Sequence, residues 1–192
     1  MTEISLTNCH RPLDKNLRSE IAQLLALAFA EDKAMIQMLG MARWKHIAYQ
    51  YFHLQLSHPD CVIIARQADR LVGVLLASSP DNQPPFFTSL REMLGMRWLL
   101  GSVFSESQRI AQNISNALPH APVWYINQLA IDPALQHQRL GSGLLARLAE
   151  VTGTGPVYVD CESVLEGFYS GAGFKVSCRP RAIDLIVMAK NA

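Results

Sequence analysis

The sequence predicts a mixed α/β (α+β) protein, a central sheet flanked by helices, on three observations. The chain of 192 residues is 49% hydrophobic and 17% charged, enough apolar material for one sizeable core and far from a composition that stays unfolded. β-branched runs of period two alternate with stretches whose apolar residues recur every three or four. A long helical stretch interrupts the strands before the fourth of them, with no internal repeat or low-complexity tract. At this length residues 1–192 read as a single domain with a helical insert over about 86–118.

A first strand covers residues 4–9. Asp14 then stands where a carboxylate would cap a helix carrying Leu17, Ile21, Leu24, Leu25 and Ala28 on one face. In a second helix, over 42–56 and ended by Pro59, the residues Trp44, Ile47, Ala48, Tyr51 and Phe52 form a stripe that reads as core. Residues 61–66 and 71–77 are β-rich and flank the turn-like Gln67-Ala68-Asp69-Arg70, an antiparallel hairpin expected in the middle of the sheet. Turn chemistry fills 78–85. Helical periodicity resumes over 88–117, weakened by Gly95 and broken near Gly101-Ser102 into two helices. Phe86, Phe87, Trp98 and Phe104 in this insert suit either core or the wall of a pocket. Pro119 and Pro122 lead into a strong fourth strand, 123–131, closed by Asp132-Pro133. A helix over 142–151, a strand over 157–161, a short helix around 165–170 and strands over 174–178 and 183–188 complete the order.

Charge and cysteine usage exclude several classes of function. Seventeen basic against sixteen acidic residues give a net charge of +1, without the basic field that drives nucleic-acid binding. Cys9, Cys61, Cys161 and Cys178 lie far apart with no C-x-x-C pair, and His46, His53 and His58 lack a further ligand, so no disulfide framework or metal is expected. The start lacks a secretory pattern, and the apolar runs near 21–30 and 71–77 fall short of the roughly 20 residues a membrane-spanning helix needs. The expectation is a cytoplasmic protein without membrane contact, a monomer or homodimer.

Chemistry concentrates between residues 129 and 145. A strand ends, Asp132-Pro133 turns the chain, and a loop containing Gly141 and Gly143 opens a helix. Such a loop aims several unpartnered backbone amides, with the positive end of the helix dipole, at one place that suits a phosphate. A side chain at either glycine would hold a diphosphate off those donors or clash with the adjoining strand. Arg139 brings a charge to the same place. No lysine follows the glycines, so this is not the P-loop, and the dinucleotide fingerprint fails because the loop comes late and shows only G-x-G.

The order strand, Asp132-Pro133, then Gln138-x-x-Gly141-x-Gly143 opening a helix resembles the acyl-CoA signature of the GNAT superfamily of acetyl-CoA-dependent N-acyltransferases. Downstream, Tyr169-Ser170-Gly171-Ala172-Gly173-Phe174 resembles that superfamily's Y-x-x-x-G-F element. The helical insert and the Trp124-Tyr125 strand start are loosely similar to the puromycin N-acetyltransferase branch. Arg139 departs from the pattern, standing where many relatives carry another glycine.

The resemblance implies a GNAT-type mixed sheet and acetyl-CoA as cosubstrate. The backbone of Leu129 and Ile131, with Ala130 between them, would pair with the pantetheine arm at a splay in the fourth strand. His137, Gln138, Arg139, Leu140, Gly141, Ser142 and Gly143 would hold the diphosphate. Tyr169 would protonate the departing thiolate, a task a phenol performs without being charged at rest. Tyr125 and Asn127, on the acceptor side, match fourth-strand positions where relatives often carry the base, and neither is a good base near neutral pH. The proton of the amine falls to Asp160, with Glu162 as the alternative. Cys161 reads as packing, and no covalent enzyme intermediate is required. The implied reaction is direct attack, in a ternary complex, by a primary amine of a small molecule or a protein. A noncatalytic acyl-CoA-binding module is the rival, and O-acylation would demand a stronger base.

Overall fold

The computed structural model describes residues 4–9, 13–56, 60–80, 90–119, 121–180 and 185–190. Strand β1 (Ile4–Cys9) is followed by helices α1 (Lys15–Ala28), α2 (Lys33–Leu39) and α3 (Met41–Gln55) and the hairpin β2 (Cys61–Gln67) and β3 (Arg70–Ser78). Helices α4 (Leu90–Leu100) and α5 (Phe104–Ala117) precede β4 (Trp124–Ile131), α6 (Leu140–Thr152) and β5 (Val157–Glu162). Helix α7 (Glu166–Gly171) and strands β6 (Lys175–Cys178) and β7 (Leu185–Lys190) end the chain.

The sheet has seven strands in the order β1-β2-β3-β4-β5-β7-β6. Neighbours are antiparallel except β4 and β5, whose parallel pairing needs a crossover that α6 supplies. The expected hairpin forms, but it sits second and third in the sheet. The middle strand is β4, because β5, β7 and β6 extend the sheet as far on one side as the hairpin and β1 do on the other.

Both faces of β2 and β3 are covered. Val62, Ile64, Val74 and Leu76 pack with α1 to α4 on one side, and Ile63, Ala65, Val72 and Leu75 pack with α6 and α7 on the other. Residues alternate between the two cores, with the phase reset at a bulge where Val72 is the extra residue of β3, so both strands read as nearly unbroken apolar runs. The aromatic stripe of α3 is core as expected. Trp44 is fully buried, its indole N–H donates to Phe29 O at 2.7 Å, and the Tyr51 and Phe52 rings meet it edge-on. Asp14 caps α1, its Oδ1 accepting from the Asn16 and Leu17 amides.

Helix α2 was not expected. Asp32 caps it through Met35 N at 2.8 Å, and Gly40, at φ +77°, separates it from α3. Seven residues are too few for the helical period to stand out in sequence. The insert divides at a short 3-10 turn, Gly101–Val103, where Gly101 takes φ +60°. Arg43 donates to Leu99 O and Leu100 O and so satisfies the end of α4. Within the insert Phe104 packs on the core while Trp98 is 84% exposed. Phe86, Phe87, His58 and Pro59 lie outside the described residues. Among the described residues no helix is long and apolar enough to cross a membrane.

Candidate active site

β4 and β5 pair from Trp124↔Val157 only as far as Ile126↔Val159, although the strands continue to Ile131 and Glu162. The parting begins at a bulge. Against β3, Leu76 faces Gln128 and Ala77 faces Ile126, which leaves Asn127 as the extra residue. An inserted residue bends its strand and adds twist, so β4 leaves β5 here and the backbone edge of Leu129, Ala130 and Ile131 has no β5 partner. It also resets the facing: Ile126 and Leu129 pack toward α6, whereas Ala130 packs toward α1 to α4 and Gln128 bonds to Gln55 on α3. Asn127 Oδ1 accepts from the Ser78 hydroxyl at 2.9 Å.

Helix α6 opens just past the end of β4. Asp132 is buried, accepts from Ala134 N at 2.9 Å and pairs with Arg70, which anchors the turn. His137 and Arg139 both take left-handed backbone, at φ +64° and +63°, and with Gln138 their side chains are exposed. Where a glycine would take this conformation freely, Arg139 bears its cost of about 1–2 kcal/mol. The first bond of the helix runs from Gly143 N–H to Arg139 O at 3.0 Å, so the amides of Leu140, Gly141 and Ser142 point out of the helix end. Three outward amides at a positive helix end beside an exposed guanidinium fit a diphosphate. A Cβ on Gly141 would lie 3.0 Å from Phe168 Cζ and 3.6 Å from Leu129 Cδ2. The closest obstacle is therefore an α7 ring, and the strand expected to be in the way comes second.

That contact sets α7 against the start of α6. Tyr169 is 5% exposed, packs in the α6-side core, and meets Phe168 and Phe174 edge-on at 4.9 and 5.5 Å. Burial pushes its phenol well above the ordinary value, with smaller contributions from Cys161 and Asp160. Cys161 packs beside Met188 with its thiol pushed up to about 12 by burial, the state of a packing residue.

Along β5, Val157, Val159 and Cys161 enter the α6-side core, and Tyr158, Asp160 and Glu162 alternate with them. The Tyr125 hydroxyl donates to Asp160 Oδ1. Burial raises the Asp160 carboxyl, the Tyr125 bond opposes that rise, and nearby Asp32 adds to it. Tyr125 is itself raised, chiefly by burial and then by Asp160. Glu162 is drawn instead to Lys33 Nζ at 3.6 Å. Of the residues the sequence singled out, the structure joins Tyr125 and Asp160 by a hydrogen bond and sets Tyr169 in the α6-side core; sequence reasoning missed what surrounds the pair. Gln128 Nε2 donates to Gln55 Oε1 at 2.6 Å, and Gln55 is hydrogen-bonded to the half-buried Tyr51, whose phenol is pushed up to about 12, chiefly by desolvation. Polar residues inside the apolar face of α3 were the available signal.

Residues 21–155 match the model of the acetyltransferase (GNAT) family, and the chain belongs to that family. No curated protein matches significantly. Among solved structures, the chain is similar to the histone acetyltransferase HPA2 and related acetyltransferase from Corynebacterium glutamicum, at TM-score 0.67 and 19% identity over 98% of this chain and 97% of that one. It is also similar to the PaiA N-acetyltransferase of Thermoplasma acidophilum, solved with coenzyme A, at TM-score 0.54 and 14% identity over 99% of each chain. The C-terminal condensation domain of Ebony, solved with beta-alanyl-dopamine, aligns over 100% of both chains at TM-score 0.59 and 15% identity. At these identities the structures share the fold.

Proposed function

We propose that the protein transfers an acetyl group from acetyl-CoA to a primary amine by direct attack within a ternary complex. The observation that carries this reading is the set of outward amides at the start of α6, just past the stretch of β4 that β5 does not pair; the Tyr125–Asp160 pair beside that parting, and Tyr169 near enough for Asp160 to act on its phenol, support it. When bound, acetyl-CoA supplies an activated carbonyl. The amides of Leu140, Gly141 and Ser142, with Arg139, Gln138 and the neighbouring His137 and Gly143, grip the diphosphate. The backbone edge of Leu129, Ala130 and Ile131 that β5 leaves unpaired orients the pantetheine arm. Asp160 receives the amine's proton on the carboxylate, Tyr125 holding its Oδ1, and Tyr169 delivers a proton to the departing sulfur. Orientation accounts for much of the acceleration, since amine and thioester need only be brought into attack geometry. Asn127 lies at the same opening, and a small-molecule amine in the cytoplasm is the favoured acceptor.

The test is release of free thiol from acetyl-CoA with a panel of amines and alcohols, beside calorimetry with CoA. Multiple turnovers with amines are expected. CoA binding without turnover beyond one equivalent would instead make the protein an acyl-CoA-binding module, and turnover confined to alcohols would make it an O-acyltransferase.

A further inference from the structure

We infer that the acceptor carries, besides its reacting amine, a second hydrogen-bond donor that is received by the side-chain oxygen of Gln128. This rests on the acetyltransferase reading and adds a specificity-determining residue to it. Gln128 follows the bulge at Asn127, on the stretch of β4 that has no β5 partner. Its Nε2 is committed to Gln55, and its Oε1 is buried with no partner among the described residues. An amide oxygen withdrawn from water and left unpaired is costly, so a native protein retains one where something donates to it.

The surroundings say what that donor is. Gln55 joins Gln128 to Tyr51, and Tyr51 feels the charges of both Asp160 and Asp32. The orphan oxygen therefore belongs to the same face of the sheet as the base. Among the described residues, Asp32 acts on Asp160 and on Glu162, and Glu162 is met by Lys33, so carboxylates predominate beside the base. Such a wall repels acidic acceptors and favours a polar amine bearing an ammonium, a hydroxyl or an amide N–H. A plain alkylamine would leave the Gln128 oxygen unsatisfied, and a site built to hydrogen-bond its substrate discriminates strongly against an analogue lacking the group.

Matched series of α,ω-diamines, amino alcohols and n-alkylamines of two to six carbons, assayed by thiol release, test the inference. At the best chain length the diamine or the amino alcohol is expected to exceed the alkylamine in kcat/KM by about tenfold or more, the worth of one good hydrogen bond. Which of the two leads tells whether the donor is charged or neutral. Gln128→Met, of similar volume but without the oxygen, should bring that ratio toward one, and Gln128→Glu, which keeps an acceptor, should preserve it. Calorimetry with CoA verifies that each variant is folded. A wild-type ratio near one, or a ratio unaltered in Gln128→Met, overturns this inference and leaves the transferase reading standing. No thiol release with any amine, despite CoA binding, removes both.

Discussion

Two hydroxyls and one carboxylate carry the proposed proton chemistry, and burial acts on each with a definite sign. Tyr169 is held protonated by its apolar surroundings, the state a proton donor requires. Tyr169→Phe keeps the ring contacts with Phe168 and Phe174, so we expect kcat to fall about 10²-fold with the CoA dissociation constant unaltered. Equal turnover would remove Tyr169 from the mechanism. At Asp160 the Tyr125 hydroxyl favours the carboxylate, while burial and Asp32 favour the neutral acid. Tyr51 and Tyr169, from α3 and α7, remain protonated through neutral pH and add no charge there. Removing the bond in Tyr125→Phe leaves burial less opposed, raises the Asp160 pKa further and depopulates the active carboxylate as pH falls. The acid limb of kcat/KM should therefore move to higher pH, and a limb that stays in place would put the base elsewhere. The sequence showed Tyr125 as an unsuitable base and Asp160 as a candidate. Their partnership depends on β4 and β5 lying side by side, a pairing 35 residues apart in the chain.

At the scale of elements, the start of α6 was readable because its chemistry is local. Gln138, Gly141 and Gly143 follow the Asp132-Pro133 turn within a dozen residues, and helix ends obey rules that short spacings express. The partner of Gly141 was not readable. Phe168 reaches it from α7, so Gly141→Val must displace that ring or shift the helix. We expect a loss of about 1–3 kcal/mol in stability, the usual cost of overpacking, together with at least tenfold weaker CoA binding in calorimetry. Unchanged CoA affinity would separate this turn from the cosubstrate. The backbone at Arg139 is left-handed, a conformation a glycine takes without steric cost. Helix α2 escaped notice because it is short, yet it brings Asp32 and Lys33 to the end of β5.

Across the whole molecule, Asp160 couples folding to pH. Burial raises the folded-state pKa of Asp160 above its unfolded value, so the folded protein binds the proton more tightly. Stability is then greatest at low pH with respect to this group and declines as pH climbs from the unfolded pKa through the raised folded one. Asp160→Asn retains an oxygen for the Tyr125 hydroxyl and sheds the buried charge. Its Tm should exceed that of the parent at pH 7 to 8, and the gain should vanish on acidification, while acetylation is lost. A lower Tm at neutral pH would mean that the carboxylate stabilises the fold.

By itself the sequence determined the order of strands and helices apart from α2, and the amide-bearing turn, because each is written in periodicities and spacings of a few residues. Only the tertiary structure decided that β4 stands at the centre, that one extra residue at Asn127 opens it from β5, and that Tyr125, Asp160, Tyr51, Gln55 and Gln128 share the space below. Those relations join strands and helices distant in the chain, and no local rule of spacing reports which buried polar atom is left waiting for a partner.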